Sequence, residues 1–312
     1  MAHEVACRAS EMGSAVGAIP EVELVSVDSM AVYRGMDIGT AKPTPEQRIE
    51  ATYHLVDLAD PSEEFTVTRF QRAAREALSG IAARGHGALL VGGTGLYLRS
   101  VIDDLHFPGR YPDVAERLWA ELDGAGPPDT DERRAACLGL HGRLMELDPV
   151  AAGRMEPANE RRVVRALEVT MGAGQPFSSF GPGLERYPPT PVHLVGLAPD
   201  PDESRDRIAE RFNAMMTAGL LHEVQTLAAR PQGLARTARQ ALGYRELLTH
   251  LEDGVPLDEA VDEAVRRTRI FARRQTAWFR RDPRIRWVEP GEDPVAVVLG
   301  MVGAEAAEPV RD

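Results

Sequence analysis

The sequence contains one lysine, Lys42, and only two cysteines, Cys7 and Cys137, among its 312 residues. Two cysteines so far apart make neither a disulfide framework nor a cysteine-rich zinc site, and both are predicted to be buried, reduced thiols. No run approaches the ~20 apolar residues that a membrane-spanning helix needs. Residues 1–14 also lack the apolar core of a secretory signal, which predicts a cytoplasmic protein with no membrane association.

Positive charge is scarce as well. The net charge is −12, with 43% hydrophobic and 27% charged residues, which is typical of a globular protein and excludes indiscriminate binding to nucleic acid. The arginines are unevenly distributed, however. Between Arg266 and Arg286 there are nine arginines and a single acid, Asp282. Local stripes of this kind allow an acidic protein to bind RNA at particular places.

The apolar pattern predicts an α/β fold. Short buried strands are expected at residues 23–27, 54–57 and 88–91, with an amphipathic helix at 65–84 between the last two. Apolar strands separated by a helix indicate a parallel sheet covered on both faces. Ligands of such sheets bind beyond the carboxyl ends of the strands, where Asp28 and Thr94 lie in this sequence.

The pattern of apolar and turn-forming residues changes after Leu105. Residues 108–189 show helical patterns, proline and glycine punctuation and almost no strand signal. We therefore predict a helical domain at 108–189, inserted into an α/β core formed by 1–107 and 190–290, with a flexible tail at 291–312. Within the second part of the core, the pattern predicts strands at 192–197 and 285–288 and helices at 204–230, 237–252 and 257–281.

Two segments carry possible chemistry. The first runs from Asp28 to Pro43 and contains an acid at a strand end, followed by a glycine-punctuated loop with Arg34 and Lys42. Asp28 could accept a proton or simply cap the next turn, and Lys42 could bind a phosphate or lie in solvent. The second segment, Gly92 to Tyr97, places Thr94 among glycines whose backbone amides could approach a ligand. A glycine-rich turn of this kind often has no binding role.

Six ordered motifs covering about residues 22–288 resemble the tRNA dimethylallyltransferase family. They are the two segments above together with His54–Asp57, Leu147–Arg154 with Asn159–Glu168, Gln240–Glu246 and Arg273–Arg280. The resemblance implies a P-loop-NTPase-like parallel sheet flanked by helices, with an all-helical tRNA-binding insertion. It also implies transfer of a dimethylallyl group from dimethylallyl diphosphate to N6 of adenine 37, in tRNAs that read codons beginning with U.

The resemblance also assigns roles to residues. Asp28 matches the family's catalytic aspartate, Thr94 matches a threonine at the reaction channel, and Arg211 matches an arginine that binds the diphosphate, where Mg²⁺ is expected. We predict a monomer whose partner is the tRNA anticodon loop. The residues that match tRNA-contacting stretches are Asp28, Ser29, Met30, Ala31, Thr94, Arg161, Arg162, Val163, Val164, Arg165, Gln240, Ala241, Leu242, Gly243, Tyr244 and Arg245.

Two departures from the family stand out. Ala31 occupies a position where the family usually has glutamine. The family also opens with a strand and a phosphate loop, Gly-x-x-x-x-Gly-Lys-Ser/Thr, which this sequence lacks, so no metal ligand is assignable from it. Residues 2–9 resemble the helix that follows that loop. We expect a start codon assigned too far downstream, rather than a true truncation, and poor activity of the chain as written.

Two rival functions stay open at this point. Another P-loop-type kinase would have a similar sheet, but it would not explain the 161–165 and 240–245 stretches. A tRNA-binding relative without catalysis would fit the missing phosphate loop. An in-frame phosphate loop in the DNA upstream of Met1 would favour the enzyme.

Overall fold

The computed structural model describes residues 1–16, 21–181, 183–197, 200–289 and 291–305. Its contacts divide the chain into two units. An α/β unit comprises Met1–Asp103 and Pro189–Asp312, and a helical unit comprises Asp104–Pro188. The helical segment predicted at 108–189 is therefore placed at 104–188.

The α/β unit has five strands and ten helices within its described residues. Before the helical unit these are α1 (Ala2–Val16), β1 (Val22–Val27), α2 (Pro45–Glu50), β2 (Tyr53–His54), α3 (Val67–Ala83), β3 (Gly87–Gly92) and α4 (Gly95–Ile102). The helical unit contributes α5 (Pro112–Ala125), α6 (Asp131–Leu147), α7 (Pro149–Ala152), α8 (Glu160–Ala173) and a 3₁₀ turn (Phe177–Phe180). The chain then forms β4 (Leu194–Gly196), α9 (Pro201–Thr217), α10 (Leu220–Ala228), α11 (Arg236–Arg239), α12 (Tyr244–Asp253), α13 (Leu257–Phe279), β5 (Ile285–Trp287) and α14 (Pro294–Glu305).

The strands form two small parallel sheets. The first has the order β2-β1-β3, in which Val22–Val27 pairs residue by residue with Gly87–Gly92. The second consists of β4 and β5. The sequence predicted one sheet to which the chain returns near Val192, yet no strand joins β3 to β4 in the described part of the chain. Leu89 of β3 and Val195 of β4 nevertheless pack against one apolar cluster.

The main core lies between the first sheet and the helices that follow it in sequence. Tyr33, Phe70 and Tyr244 are fully buried there, and the Phe70 and Tyr97 rings stack with centroids 4.3 Å apart. Burial of large side chains of this kind contributes roughly 1.5–3 kcal/mol each to stability. This core fixes α3, α10 and α12 against the loops that follow β1 and β3.

Three predicted elements end earlier than expected, because the backbone turns left-handed. The helix predicted at 204–230 is interrupted at Gly219, where φ is 102°, and the one predicted at 237–252 is interrupted at Gly243, where φ is 84°. A positive φ cannot continue a right-handed helix and suits glycine. The strand predicted at 54–57 stops at His54, because Leu55 and Asp57 both have positive φ.

The predicted flexible tail is partly a helix, which corrects that prediction. Helix α14 begins at Pro294, and Val295 and Val298 are buried against Val5 of α1. An apolar face of this kind is stabilised by burial and does not stay in solvent. Residues 306–312 lie outside the described residues.

The helical unit has its own core, built mainly from α5, α6 and α8. Leu122, Leu140 and Leu167 are fully buried in it. Arg133 ties the helices together, because its guanidinium donates to Glu160, to Asp123 at 2.8 Å and to the carbonyl of Gly126 at 3.1 Å. Among all described residues, no helix is both long and apolar enough to cross a bilayer.

Candidate active site

Two neighbouring strands end at the same edge of the first sheet, and this edge holds Asp28 and Thr94. Because β1 and β3 run parallel in register, Val27 lies opposite Gly92, and the residues that follow them meet. The Ser29 amide donates to the Thr94 hydroxyl oxygen at 3.2 Å, and the Thr94 amide donates to the Val27 carbonyl at 3.3 Å. Ser29 and Thr94, which are 65 positions apart in sequence, are thus joined at one edge.

The Asp28 carboxylate caps the turn that follows it. One oxygen, Oδ1, accepts from the amides of Met30 at 2.7 Å and Ala31 at 3.2 Å. This fixes the carboxylate's orientation, as in other Asx turns. Within the described residues Oδ2 has no hydrogen-bond partner, and the side chain is half-buried. Capping and a chemical role are therefore compatible, since one oxygen holds the turn and the other stays available as an acceptor.

Glycines 92, 93 and 95 are required by close approach rather than by backbone conformation. A Cβ on Gly92 would lie 2.1 Å from the Val27 carbonyl oxygen. A Cβ on Gly93 would lie 1.8 Å from Nε2 of Gln275, and one on Gly95 would lie 2.3 Å from the Trp278 ring. Contacts this short are forbidden to real side chains.

Helix α13 therefore packs directly on the Thr94 loop. Gln275 donates from Nε2 to the Gly93 carbonyl at 2.9 Å, and the Trp278 ring covers Gly95. This explains the glutamine and tryptophan of the Arg273–Arg280 motif, whose roles could not be assigned from the sequence. Arg273 and Arg274 of the same motif are exposed.

The loop at residues 37–39, which follows Asp28 in the chain, is held by Glu223, which the sequence analysis missed. The Glu223 carboxylate accepts from the amides of Asp37 at 3.0 Å, Ile38 at 2.9 Å and Gly39 at 3.3 Å. It also accepts from the Tyr244 hydroxyl. Burial, followed by this carboxylate, raises the pKa of Tyr244, so the phenol stays protonated as the donor.

Gly39 and Tyr244 belong to one contact. A Cβ on Gly39 would lie 2.4 Å from the Tyr244 ring, so only glycine lets the ring reach Glu223. The two motifs that contain Gly39 and Tyr244 are about 200 residues apart in sequence. Glu223 joins these two motifs, and no local sequence pattern around Glu223 indicates this role.

Lys42 is engaged within the protein, contrary to the predicted contact with diphosphate. Its ammonium group donates to the Tyr33 carbonyl at 2.6 Å, to Asp37 at 2.7 Å and to Asp57 at 2.6 Å, and its side chain is 2% exposed. All three protons are used, and the group is shielded from solvent. Burial would raise the pKa of Asp57, but the hydrogen bonds from Lys42 and Arg48 outweigh it and lower that pKa. We therefore leave Lys42 out of the proposed diphosphate site.

Arg211 lies on α9 with its side chain exposed. No hydrogen bond or ion pair of its guanidinium is seen within the described part of the chain. The next residue, Phe212, is buried and lies 3.0 Å from the position of a Cβ on Gly243. The helix is thus anchored through Phe212, while Arg211 is free to meet an anion.

Comparison with known proteins assigns the chain to a family. The family described as IPP transferase matches residues 31–282. The chain belongs to the IPP transferase family. A protein named tRNA dimethylallyltransferase from Desulforudis audaxviator is 42% identical over 297 residues, covering 95% of this chain and 93% of that protein. A protein of the same name from Kineococcus radiotolerans is 45% identical over 275 residues, covering 88% and 83%.

A solved structure of another IPP transferase supports the same fold. The crystal structure of the tRNA isopentenylpyrophosphate transferase from Bacillus halodurans matches with a TM-score of 0.64 and 32% identity. The match covers 98% of this chain and 93% of that one. The predicted fold class, a P-loop-NTPase-like parallel sheet flanked by helices, is confirmed.

In this member of the IPP transferase family, the stretch 240–245 divides into buried and exposed residues. Ala241, Gly243 and Tyr244 are buried and shape the core, so their side chains do not face a ligand. Leu242 is half-buried. Gln240 and Arg245 are exposed, and Arg245 donates to the Gln240 side-chain oxygen at 3.3 Å. Within this stretch, only the side chains of Gln240 and Arg245 are exposed to solvent.

The stretch 161–165 divides in the same way within the helical unit. Val163 and Val164 are buried in the core of α8, so the predicted contact of their side chains with tRNA is corrected to a packing role. Arg161 and Arg162 are exposed. Arg165 is half-buried and donates to Glu168 at 2.7 Å and to the Pro108 carbonyl at 2.9 Å.

The arginine run from Arg266 to Arg286 is partly used within the protein. Arg266 pairs with Glu263 at 2.6 Å, Arg284 pairs with Asp103 and Asp282, and Arg286 pairs with Glu292 at 3.0 Å. Arg273, Arg274, Arg280 and Arg281 are exposed and have no ion pair within the described residues, and the Arg280 guanidinium lies 5.7 Å from the centroid of the Trp287 ring. The positive charge of these four arginines is not neutralised by a described acidic side chain.

Proposed function

We propose that this chain transfers a dimethylallyl group from dimethylallyl diphosphate to N6 of adenine 37, in tRNAs that read codons beginning with U. The product is N6-dimethylallyladenosine. Family membership supports the reaction class. The single observation that carries the mechanism is the junction of Asp28 and Thr94 at the carboxyl edge of the parallel sheet.

Asp28 acts as the proton acceptor in this proposal. The exocyclic amine of adenine is a poor nucleophile, because its lone pair is delocalised into the ring. As the new C–N bond forms and the C–O bond to diphosphate breaks, the amine must lose one proton, and Oδ2 of Asp28 accepts it. The two amides that hold Oδ1 keep the carboxylate oriented without using that second oxygen.

Thr94 and Arg211 serve the two sides of the reaction. The Thr94 hydroxyl lies beside Ser29 and positions the target nucleotide at the sheet edge. Arg211 binds the diphosphate, because a guanidinium donates in a fork that matches phosphate oxygens and takes up the negative charge of the leaving group. Mg²⁺ accompanies the diphosphate in this proposal. The contacts described around Asp28 and Thr94 include no second carboxylate, so we assign it no protein ligand.

The tRNA surface is made from exposed arginines and polar side chains. We include Arg161, Arg162, Gln240 and Arg245 in it, with Ser29 and Met30 beside the reacting base. Adenine 37 has to leave its stack in the anticodon loop to reach Asp28, and an RNA loop opens more easily than a duplex. We also propose that the protein is a monomer and acts in the cytoplasm.

The test is single-turnover transfer from labelled dimethylallyl diphosphate to an anticodon stem–loop containing adenine 37. The assay compares the unaltered chain with its Asp28→Asn variant. Asp28→Asn keeps the size and one acceptor oxygen for the turn but cannot take the proton, so transfer should fall at least about 100-fold. Binding of the stem–loop should be retained.

The matched control is Asp253→Asn, an exposed acid at the end of α12 without a hydrogen bond in the described structure. Transfer should be unchanged in that variant. Full turnover by Asp28→Asn would refute the assignment of the base. Binding of the stem–loop by the unaltered chain without any transfer would favour a non-catalytic tRNA-binding protein instead.

A further inference from the structure

Three side chains from two helices of the α/β unit meet beside Tyr53 of β2. His3 and Cys7 lie one turn apart on α1, and Glu50 is the last residue of α2. Oε2 of Glu50 lies 2.7 Å from Nε2 of His3, and Sγ of Cys7 lies 3.6 Å from the same nitrogen. One donor atom from each residue lies within 4.8 Å of the other two.

We propose that His3, Cys7 and Glu50 form a zinc site, with water as the fourth ligand. Imidazole nitrogen, thiolate sulfur and carboxylate oxygen are the three donor types that Zn²⁺ takes from proteins. The site is distinct from the proposed reaction. Tyr53, next to the cluster, pairs with Leu24 of β1, and Asp28 lies four residues further along, about 13 Å away at strand spacing.

The separations fit a tetrahedral ion with a small adjustment. Zinc bonds of about 2.0–2.3 Å at tetrahedral angles place donor atoms roughly 3.4–3.6 Å apart. The sulfur-to-nitrogen distance of 3.6 Å already fits. The carboxylate has to move away from His3 by about 0.7 Å to admit the ion. Glu50 can do so by side-chain rotation, because its side chain is 60% exposed.

Tyr53 orients the imidazole as a metal ligand requires. The Tyr53 hydroxyl lies 3.0 Å from Nδ1 of His3, and the two rings are nearly parallel, with an interplanar angle of 12°. When Nδ1 donates its proton to that oxygen, Nε2 carries a lone pair. That lone pair is available to an ion held between Nε2, Cys7 and Glu50. A hydrogen bond from the other ring nitrogen is the usual outer contact of a metal-binding histidine.

Zinc at this place would join α1 to the last residue of α2. Without the ion, a proton on Nε2 makes the bond to Glu50, so metal and proton compete for one nitrogen. Binding also releases the thiol proton of Cys7.

The test is a titration of the reduced full chain with Co²⁺, which reports its ligands by colour. One equivalent should give a thiolate-to-cobalt charge-transfer band with the visible bands of a four-coordinate ion, and Zn²⁺ should displace both. Cys7→Ser should abolish the charge-transfer band. Glu50→Gln, at an exposed position that does not support the fold, should weaken binding at least about 10-fold, and Tyr53→Phe should weaken it about 10- to 100-fold.

Cys137→Ser is the matched control. Cys137 is buried in the helical unit and donates to the Pro157 carbonyl, a bond that serine can also make. The control should keep the cobalt spectrum unchanged. A charge-transfer band that survives Cys7→Ser, or weak binding that Glu50→Gln and Tyr53→Phe leave unaffected, would mean an adventitious ion only and would overturn the proposal. Because the readout is spectroscopic, it is independent of prenyl transfer.

Discussion

Replacing Glu223 tests whether one carboxylate holds the loop at residues 37–39. In Glu223→Ala, the amides of Asp37, Ile38 and Gly39 and the Tyr244 hydroxyl all lose their common acceptor. Hydrogen bonds to a charged group contribute about 1.5–3 kcal/mol each when they are sheltered. Asp37 is exposed, so water can replace its bond, whereas Ile38 and Gly39 are half-buried and Tyr244 is buried. We expect a loss of about 3 kcal/mol in the local stability of the loop.

Glu223→Gln separates charge from shape. The amide keeps one acceptor oxygen but turns an NH₂ group toward backbone N–H donors, so it should cost about half as much as alanine. The assay is hydrogen exchange of the peptide that contains residues 37–39. Protection should fall roughly 100-fold in Glu223→Ala, since 1.4 kcal/mol corresponds to a factor of ten in an opening equilibrium.

Glu210→Ala serves as the control for this prediction. Glu210 is exposed on α9 and makes no hydrogen bond or ion pair among the described residues. Its removal should leave exchange of the loop unchanged. If Glu223→Ala exchanged its loop amides as slowly as the unaltered chain, the reasoning that this carboxylate fixes the loop would be refuted.

Two further predictions concern stability. Glu23 is buried, and hydrogen bonds first from Arg84, then from His54 and His86, lower its pKa from 4.5 to about 2. A depressed carboxyl pKa stabilises the fold above 4.5, and that contribution, at most about 3 kcal/mol, is lost as the pH falls through 2. Urea midpoints between about pH 5 and pH 2 should thus fall less steeply in Glu23→Gln, and an equal slope would count against the cluster. Gly95→Ala pushes a methyl group into Trp278 and should cost about 1–3 kcal/mol. Gly80→Ala should be neutral or stabilising, because the added Cβ would meet only the Arg84 side chain, at an ordinary contact distance of 3.5 Å. Equal thermal shifts in the two variants would contradict the packing of α13 on this loop.

Much of the fold follows from local patterns. The bounds of β1 and β3 were predicted to within a residue, because predominantly apolar runs are typical of parallel strands. The breaks at Gly219 and Gly243 were missed, since an amphipathic pattern continues across a glycine whose backbone has changed hand. The helix α14 was missed because its proline- and glycine-rich surroundings resemble a linker.

The candidate site was only partly predictable from the sequence. The placement of Asp28 and Thr94 at one edge could be predicted because both follow predicted strands, and parallel strands end together. Glu223 and Gln275 could not, because each acts on a loop more than 180 residues away in sequence. The pairing of Lys42 with Asp57 was not foreseen either, because Asp57 comes from a segment predicted to be a strand.

The outer edge of β3 has a consequence for handling the protein. Ala88 is exposed and Leu89 to Val91 are half-buried, and this edge has no strand partner among the described residues. The run contains no proline or charged residue of the kind that natural sheets use to guard an edge. Concentrated solutions therefore contain a template on which a second molecule can add its own backbone. Colloidal stability should depend on this one strand more than on the net charge of −12.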